Sequence, residues 1–258
     1  MKFCIRKGRY ELASPCAPLD LPQNELEPLL IRAATTQGFR CRFDTEFLSF
    51  EEDTANGTVD VLVKDLIYGH KSTIRTKYLF GADGAKSRIV SQLALPLTKR
   101  EGGGLAWSVL VDVDLSKYMD TRRGNLHWVY EPGTDQPDFA WIGFPRVVSP
   151  WNKWLIILLP KPGFKTTKEP SHEDWSRRIR SMIGDPNLEI TIKDVARWNI
   201  NETYAERYSA GRVFALGDAV HRHPPGNGLG ANTSMQDAYN LAWKVAYVLK
   251  GTPSAIPG

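Results

Sequence analysis

Apolar positions first recur at helical spacing over residues 24–36, where Leu26, Leu29, Leu30 and Ala33 share one stripe and Gly38 follows as a stop. The period then shortens to two. Residues 39–51 read as a half-buried strand, Asn56-Gly57 as a turn, and Val59, Val61 and Val63 alternate in a second strand. After a turn at Tyr68-Gly69-His70, residues 73–80 read as one further strand running into Gly81-Ala82-Asp83-Gly84, with a helix over 85–93. From Gly102 the pattern changes. Residues 105–113, 125–131, 139–144 and 153–159 are short, aromatic and β-branched, with Pro and Gly clusters between them, which predicts an antiparallel sheet in a second domain or large insertion. A helix over 175–183 is stopped by Gly184-Asp185-Pro186, and 190–198 reads as a strand or mixed segment. Residues 212–216 form a short apolar strand. Residues 232–250 form the clearest helix, with Met235, Ala238, Ala242, Val245 and Leu249 as its expected buried stripe.

Composition narrows the class. The 258 residues suffice for one large or two small domains, and 42% apolar with 24% charged residues is ordinary for a globular protein. The net charge of +4 is small and scattered, and no basic helix or RNA-binding motif accompanies it, which argues against nucleic acid. The three cysteines, Cys4, Cys16 and Cys41, match no zinc spacing and no disulfide framework, as expected in a reducing, cytoplasmic setting. The N-terminus reads as neither signal peptide nor anchor. The most apolar stretch, residues 154–159, is too short to span a bilayer, so no membrane is expected.

The chemistry concentrates where the strand 212–216 ends in Gly217-Asp218. Ligands of α/β folds sit beyond the carboxyl ends of strands, and a carboxylate there accepts hydrogen bonds from sugar-like hydroxyls. Gly228 and Gly230 leave room for close approach of backbone to a flat ring. Thr233-Ser234-Met235-Gln236 fits a capping box, which would aim the positive end of the helix into the loop, where a reduced flavin's negative charge would be favoured. These residues alone specify an anionic or polar ligand site at a strand end; a Gly-Asp turn before a capped helix is also ordinary connective structure. His221 and His223 have the spacing of a metal pair, but further ligands would have to come from elsewhere, and no metal site is expected. Asp83 reads equally well as a plain helix cap. Nothing pairs a nucleophile with a base, so a hydrolase is not expected.

The pattern Gly217-Asp218-Ala219, His221, Pro224-Pro225, Gly228, Gly230-Ala231-Asn232, Asp237-Ala238, Asn240-Leu241 and Trp243-Lys244 resembles the second FAD-binding motif of the phenol and chlorophenol hydroxylase group. These are class A FAD-dependent aromatic-ring monooxygenases. The resemblance implies that Asp218 binds the ribityl chain, that the backbone of Gly228, Leu229, Gly230 and on to Asn232 holds the flavin's pyrimidine end, and that Gly217 and Pro225 also belong to the cofactor site. It places His221 in the cofactor loop and not on a metal. Gly81-Ala82-Asp83-Gly84 with Ser87 resembles the family's Gly-Ala-Asp-Gly-x-x-Ser motif, which implies Asp83 near the FAD pyrophosphate and the path of the nicotinamide. Residues 21–30 resemble the family's helix start, with Gln23 as the corresponding FAD contact.

The fold implied is α/β (α+β): a partial FAD-binding, Rossmann-like domain over 1–101 and 201–258, interrupted by an antiparallel-sheet substrate domain over 102–200. The activity implied is hydroxylation of a phenolic or other electron-rich aromatic or polyketide-like small molecule, with FAD as cofactor and NAD(P)H and O2 as co-substrates, compatible with secondary metabolism. Self-association into a homo-oligomer is left open. No catalytic side chain is assigned. Trp107, Trp128, Trp141 and Trp154 are open between core and substrate contact. The G-x-G-x-x-G that holds the FAD pyrophosphate is absent and the family usually continues past the last matched helix, so the chain is expected to be truncated at both ends and to bind FAD weakly or fold poorly by itself. A non-catalytic remnant or partner subunit, and a reductase without hydroxylation, remain as alternatives.

Overall fold

The computed structural model describes residues 21–100, 104–119, 126–131, 136–165, 169–225 and 228–251. Expectations that fall on the N-terminal residues through 20, among them Cys4 and Cys16, and on Gly102, Asn125, Gly226 and Asn227 lie outside the described residues. In chain order come α1 (Gln23–Thr36), β1 (Thr45–Asp53), β2 (Thr58–Asp65), β3 (Lys71–Thr76), β4 (Leu79–Gly81), α2 (Arg88–Gln92) and β5 (Leu97–Arg100). Then follow β6 (Leu105–Asp112), β7 (Ile142–Ser149), β8 (Lys153–Leu159), α3 (His172–Ile183) and β9 (Thr191–Asn199). Last are β10 (Glu202–Ala205), β11 (Ser209–Ala210), β12 (Val213–Ala215), β13 (His221–Arg222) and α4 (Leu229–Leu249). The chain divides into two compact units, Met1–Cys41 with Leu105–Trp198, and Arg42–Gly104 with Asn199–Gly258.

In the first unit the sheet runs β7-β8-β6-β9, with β8 antiparallel to both β7 and β6. Alternation dictates its core. Trp107, Val109 and Val111 on β6 and Trp154, Ile156 and Leu158 on β8 point to one face, where α3 adds Trp175, Ile179 and Met182. The helix α3 starts three residues before its expected first residue, on a capping box between Ser171 and Asp174, and ends at Gly184 with φ of 81°. Trp107 and Trp154 are therefore core residues. Trp128 is 63% exposed and meets Phe144 edge to face at 4.6 Å; Tyr130 meets Trp141 in the same way at 5.5 Å. The expected strand 125–131 is reduced to isolated bridges from Leu126 and Val129 to β7. The expected strand over 139–144 opens instead as a 3-10 turn at Asp138–Ala140 after Pro137. In α1 the expected stripe packs only in part: Leu26 is half-buried, whereas Leu29, Leu30 and Ala33 are exposed.

The second unit holds a meander β1-β2-β3 and two small sheets, β13-β10-β5 and β11-β12-β4. Val59, Val61 and Val63 are buried with Ile89 and Val213. The expected strand 73–80 is broken at Lys77–Tyr78, and its two halves, β3 and β4, join different sheets. In α4 the face that packs carries Ser234, Asp237, Leu241, Lys244, Val245 and Val248. The expected stripe shares only Val245 with it; Met235, Ala238, Ala242 and Leu249 are exposed. No helix among the described residues is long and apolar enough to cross a membrane.

Candidate functional site

The short strands β4 and β12 run parallel and end together. Ala215 is in register with Gly81, and the Leu216 N–H donates to the Gly81 carbonyl at 3.0 Å. The chain therefore leaves this sheet edge twice, once as Gly81-Ala82-Asp83-Gly84 and once as Gly217-Asp218-Ala219, at the kind of strand end where α/β folds bind ligands. The two motifs are distant in sequence, and this pairing brings them to one edge.

Asp83 performs the capping role. Its Oδ2 accepts from the Arg88 N–H at 2.8 Å and the Ile89 N–H at 3.3 Å, while the Ser87 hydroxyl accepts from Val90 N–H at 2.9 Å. Gly81 is required by close packing, because a Cβ there would lie 2.9 Å from Ile89 Cγ2.

Asp218 behaves differently. It sits in the 3-10 turn Gly217–Ala219 between two buried neighbours, yet is itself exposed. Its carbonyl accepts from Arg222 Nε at 3.3 Å, while its carboxylate has no hydrogen-bond partner among the described residues. The turn is fixed from behind. Gly217 has φ of 64°, and a Cβ on it would lie 3.2 Å from Ser234 Oγ on α4. Its N–H donates to Asp237 Oδ2 at 2.9 Å, and the same oxygen is 2.6 Å from Nε2 of buried His221. His223 is exposed, its ring 5.2 Å from that of His221. Burial and the nearby Asp237 carboxylate push the Tyr208 hydroxyl above its ordinary pKa.

The start of α4 departs from expectation. The helix begins at Leu229, a turn earlier than residue 232, with Gly228 as N-cap at φ of 63° and its N–H donating to the Pro225 carbonyl at 3.0 Å. Thr233 and Ser234 lie inside the helix, where their hydroxyls donate to the carbonyls of Leu229 (2.9 Å) and Gly230 (3.0 Å); the expected capping box does not form. Asn232 Nδ2 donates to the Gly228 carbonyl at 2.9 Å. The N–H groups of Leu229, Gly230 and Ala231 thus have no acceptor within the helix and no side-chain cap. A Cβ built on Gly228 or Gly230 meets nothing within 4 Å among the described residues. Gln23 belongs to the other unit, and its amide donates to Glu27 Oε1 at 2.5 Å.

The donor set fits a flavin's polar edge. An unspent carboxylate suits ribityl hydroxyls, and three free N–H groups at a helix N-terminus suit the N1 and C2 carbonyl region. Asp237 and His221 stood in the sequence pattern without an assigned role. No local signal revealed their pairing, because Gly217 and His221 meet the Asp237 carboxylate only through the fold, Gly217 at 20 residues' separation.

A family model described as an FAD binding domain matches residues 4–255, and the chain belongs to that family. It is 46% identical to 2,4-dichlorophenol 6-monooxygenase of Cupriavidus pinatubonensis over 96% of this chain and 41% of that protein. It is 38% identical to phenol 2-monooxygenase of a Pseudomonas species over 95% of this chain and 38% of that protein. Among solved structures it resembles the flavin-dependent monooxygenase PieE in complex with FAD and substrate, with a TM-score of 0.81 and 39% identity over 95% of this chain and 42% of that one. It also resembles aklavinone-11 hydroxylase with FAD and aklavinone, with a TM-score of 0.80 and 26% identity over 93% of this chain and 44% of that one. The chain spans about two fifths of the length of the relatives it matches, 41% for the first of them.

Proposed function

We propose that this chain forms the ribityl and pyrimidine half of the FAD site in a monooxygenase that hydroxylates a phenolic or other electron-rich aromatic or polyketide-like small molecule. The observation that carries this reading is the unpartnered Asp218 carboxylate, on a turn that follows β12 and packs through Gly217 against α4, together with the uncapped start of that helix. Asp218 accepts from ribityl hydroxyls. Gly217 and Pro225 set the loop, and Gly228, Leu229, Gly230 and Asn232 present backbone to the pyrimidine end. Asp83 shapes the neighbouring loop on the pyrophosphate side, and Gln23 is assigned a contact to the same cofactor. When bound, FAD supplies the redox chemistry, reduction by NAD(P)H and oxygen transfer to the ring.

Residues 102–200 serve as the substrate domain, and 1–101 with 201–258 as the FAD-binding domain. The exposed Trp128 and Tyr130, braced by Phe144 and Trp141, suit a flat aromatic substrate. The exposed, free Cys41 suits a reducing compartment, and we assign the cytoplasm.

Titration of the full chain with FAD, followed by flavin fluorescence, tests this. The wild type saturates, and Asp218→Ala weakens binding about tenfold or more, as expected for loss of hydrogen bonds to a charged group. Absence of saturable binding by the wild type, or equal binding by the variant, refutes the reading. The alternative reading is a flavin-holding partner subunit without its own turnover. NAD(P)H consumption with a phenol, and detection of the hydroxylated product, separates the two.

A further inference from the structure

We propose that Asp237 and His221 form a latch: a single carboxylate oxygen on α4 holds both ends of the 217–221 segment and so positions Asp218 and the α4 N-terminus as one unit. This rests on the flavin reading for its consequence, though the latch itself does not.

Asp237 lies on the packed face of α4, two turns into the helix. Its Oδ2 accepts from the Gly217 N–H at 2.9 Å, at the start of the turn that carries Asp218. At 2.6 Å it also meets His221 Nε2, just after that turn. An ionised carboxylate only accepts, so Nε2 carries the proton and donates. His221 is 4% exposed, and its Nδ1 has no partner among the described residues, so the ring's polar anchorage is on the Asp237 side. The ring is held in place by neighbours. His221 pairs with Tyr204 across β13 and β10, and the Tyr208 ring lies 6.2 Å away.

The arrangement has a direct consequence. The turn is short, and both of its flanks hang on one oxygen. The backbone that carries Asp218 cannot be displaced relative to α4 without breaking a charge-assisted hydrogen bond. The ribityl acceptor and the helix N–H donors are therefore kept at a fixed mutual spacing by a residue that touches neither. Asp237 is a positioning residue.

Two measurements on the full chain test the latch. The first is hydrogen exchange of the segment 213–222, without any flavin. Asp237→Ala raises exchange there at least about tenfold, as loss of a hydrogen bond to a charged group requires. The β1-β2-β3 meander remains as protected as before, which excludes general unfolding. Asp237→Asn retains an acceptor oxygen and restores most of the protection, which a merely space-filling role would also allow. His221→Phe separates those roles: it keeps the ring volume, removes the donor, and raises exchange. The second measurement is FAD titration, in which Asp237→Ala and His221→Phe each weaken binding about tenfold while leaving Asp218 in place. Unchanged exchange in Asp237→Ala overturns the latch whatever the flavin does. Raised exchange with unchanged flavin affinity overturns the positioning role. A wild type that binds no flavin overturns the proposed function and the latch's consequence for it, while raised exchange in the variants still supports the latch.

Discussion

Arg178→Met removes one charged group from the interior of the sheet unit and leaves its acceptors behind. The residue is 2% exposed. Its Nε donates to the Ala140 carbonyl at 2.7 Å, Nη1 to Glu131 Oε2 at 3.1 Å and Nη2 to the Trp141 carbonyl at 3.3 Å. Burial lowers its pKa and Glu131 opposes that shift, but an arginine remains protonated in either case. Removing one member of a buried ion pair costs about 3–5 kcal/mol. The Glu131 side chain is 26% exposed and regains some hydration, so the lower end of that range applies, about 3 kcal/mol. A domain stability of about 5–15 kcal/mol leaves the variant folded. In urea, with m of about 1–3 kcal/mol/M, the midpoint falls by about 1–3 M at unchanged m. Tryptophan fluorescence reads the transition, since Trp107, Trp154 and Trp175 lie in the affected core. Glu131→Gln costs less, because it keeps an acceptor, and the two changes couple by at least about 1 kcal/mol in a double-mutant cycle. A loss below about 1 kcal/mol for Arg178→Met, or additive effects of the two changes, would refute the reasoning.

Gly217→Ala forces a side chain into φ of 64° and against Ser234 Oγ at 3.2 Å. It is expected to cost about 1–2 kcal/mol in urea melts and to weaken flavin binding; wild-type stability in the variant contradicts this. His127 Nε2 is buried without a partner among the described residues, and burial lowers the His127 pKa below 6.5. The unfolded chain therefore takes up the proton more readily, and the stability present above pH 6.5 is lost as pH falls below it. The urea midpoint of the wild type should drop between about pH 8 and about pH 5.5, and His127→Phe should drop less; parallel profiles count against the assignment. Because most of the assigned contacts address ribityl and pyrimidine atoms, FMN should bind within about tenfold of FAD, whereas a preference for FAD above about a thousandfold in fluorescence titration would contradict this.

Much of the scaffold was legible where local rules and tertiary packing agree. The valines of β2 alternate and are buried, and α3 stops at Gly184, which takes up the left-handed conformation that a glycine allows, although its start at the Ser171 cap was missed. The strand from Arg212 and the break at Gly217-Asp218 were also readable. What escaped was decided by partners distant in sequence. Alternation in 73–80 does not encode that β3 and β4 belong to different sheets. The Thr233–Gln236 box looked like a helix start because a glycine N-cap with positive φ leaves no side-chain signature. The stripe on α4 was misplaced because its packed face includes Asp237, which a hydrophobic pattern assigns to solvent and which is instead held by Gly217 and His221. Of the candidate site residues, Gly217 and Asp218 follow β12 and Asp83 follows β4 at one sheet edge, Gly228 to Asn232 open α4, and Gln23 falls in the other unit.

The register of Gly81 with Ala215 also bears on how the molecule is made. Joining β4 to β12 closes a loop that contains the entire four-stranded sheet with α3, and such closure must precede any reward from the contacts it creates. The sheet unit between them contains the short-range hairpin β7-β8, which can order early. The paired turns at the ends of β4 and β12 are then the last part to take shape, and on refolding the capacity to hold a ligand returns after the tryptophan core is already native.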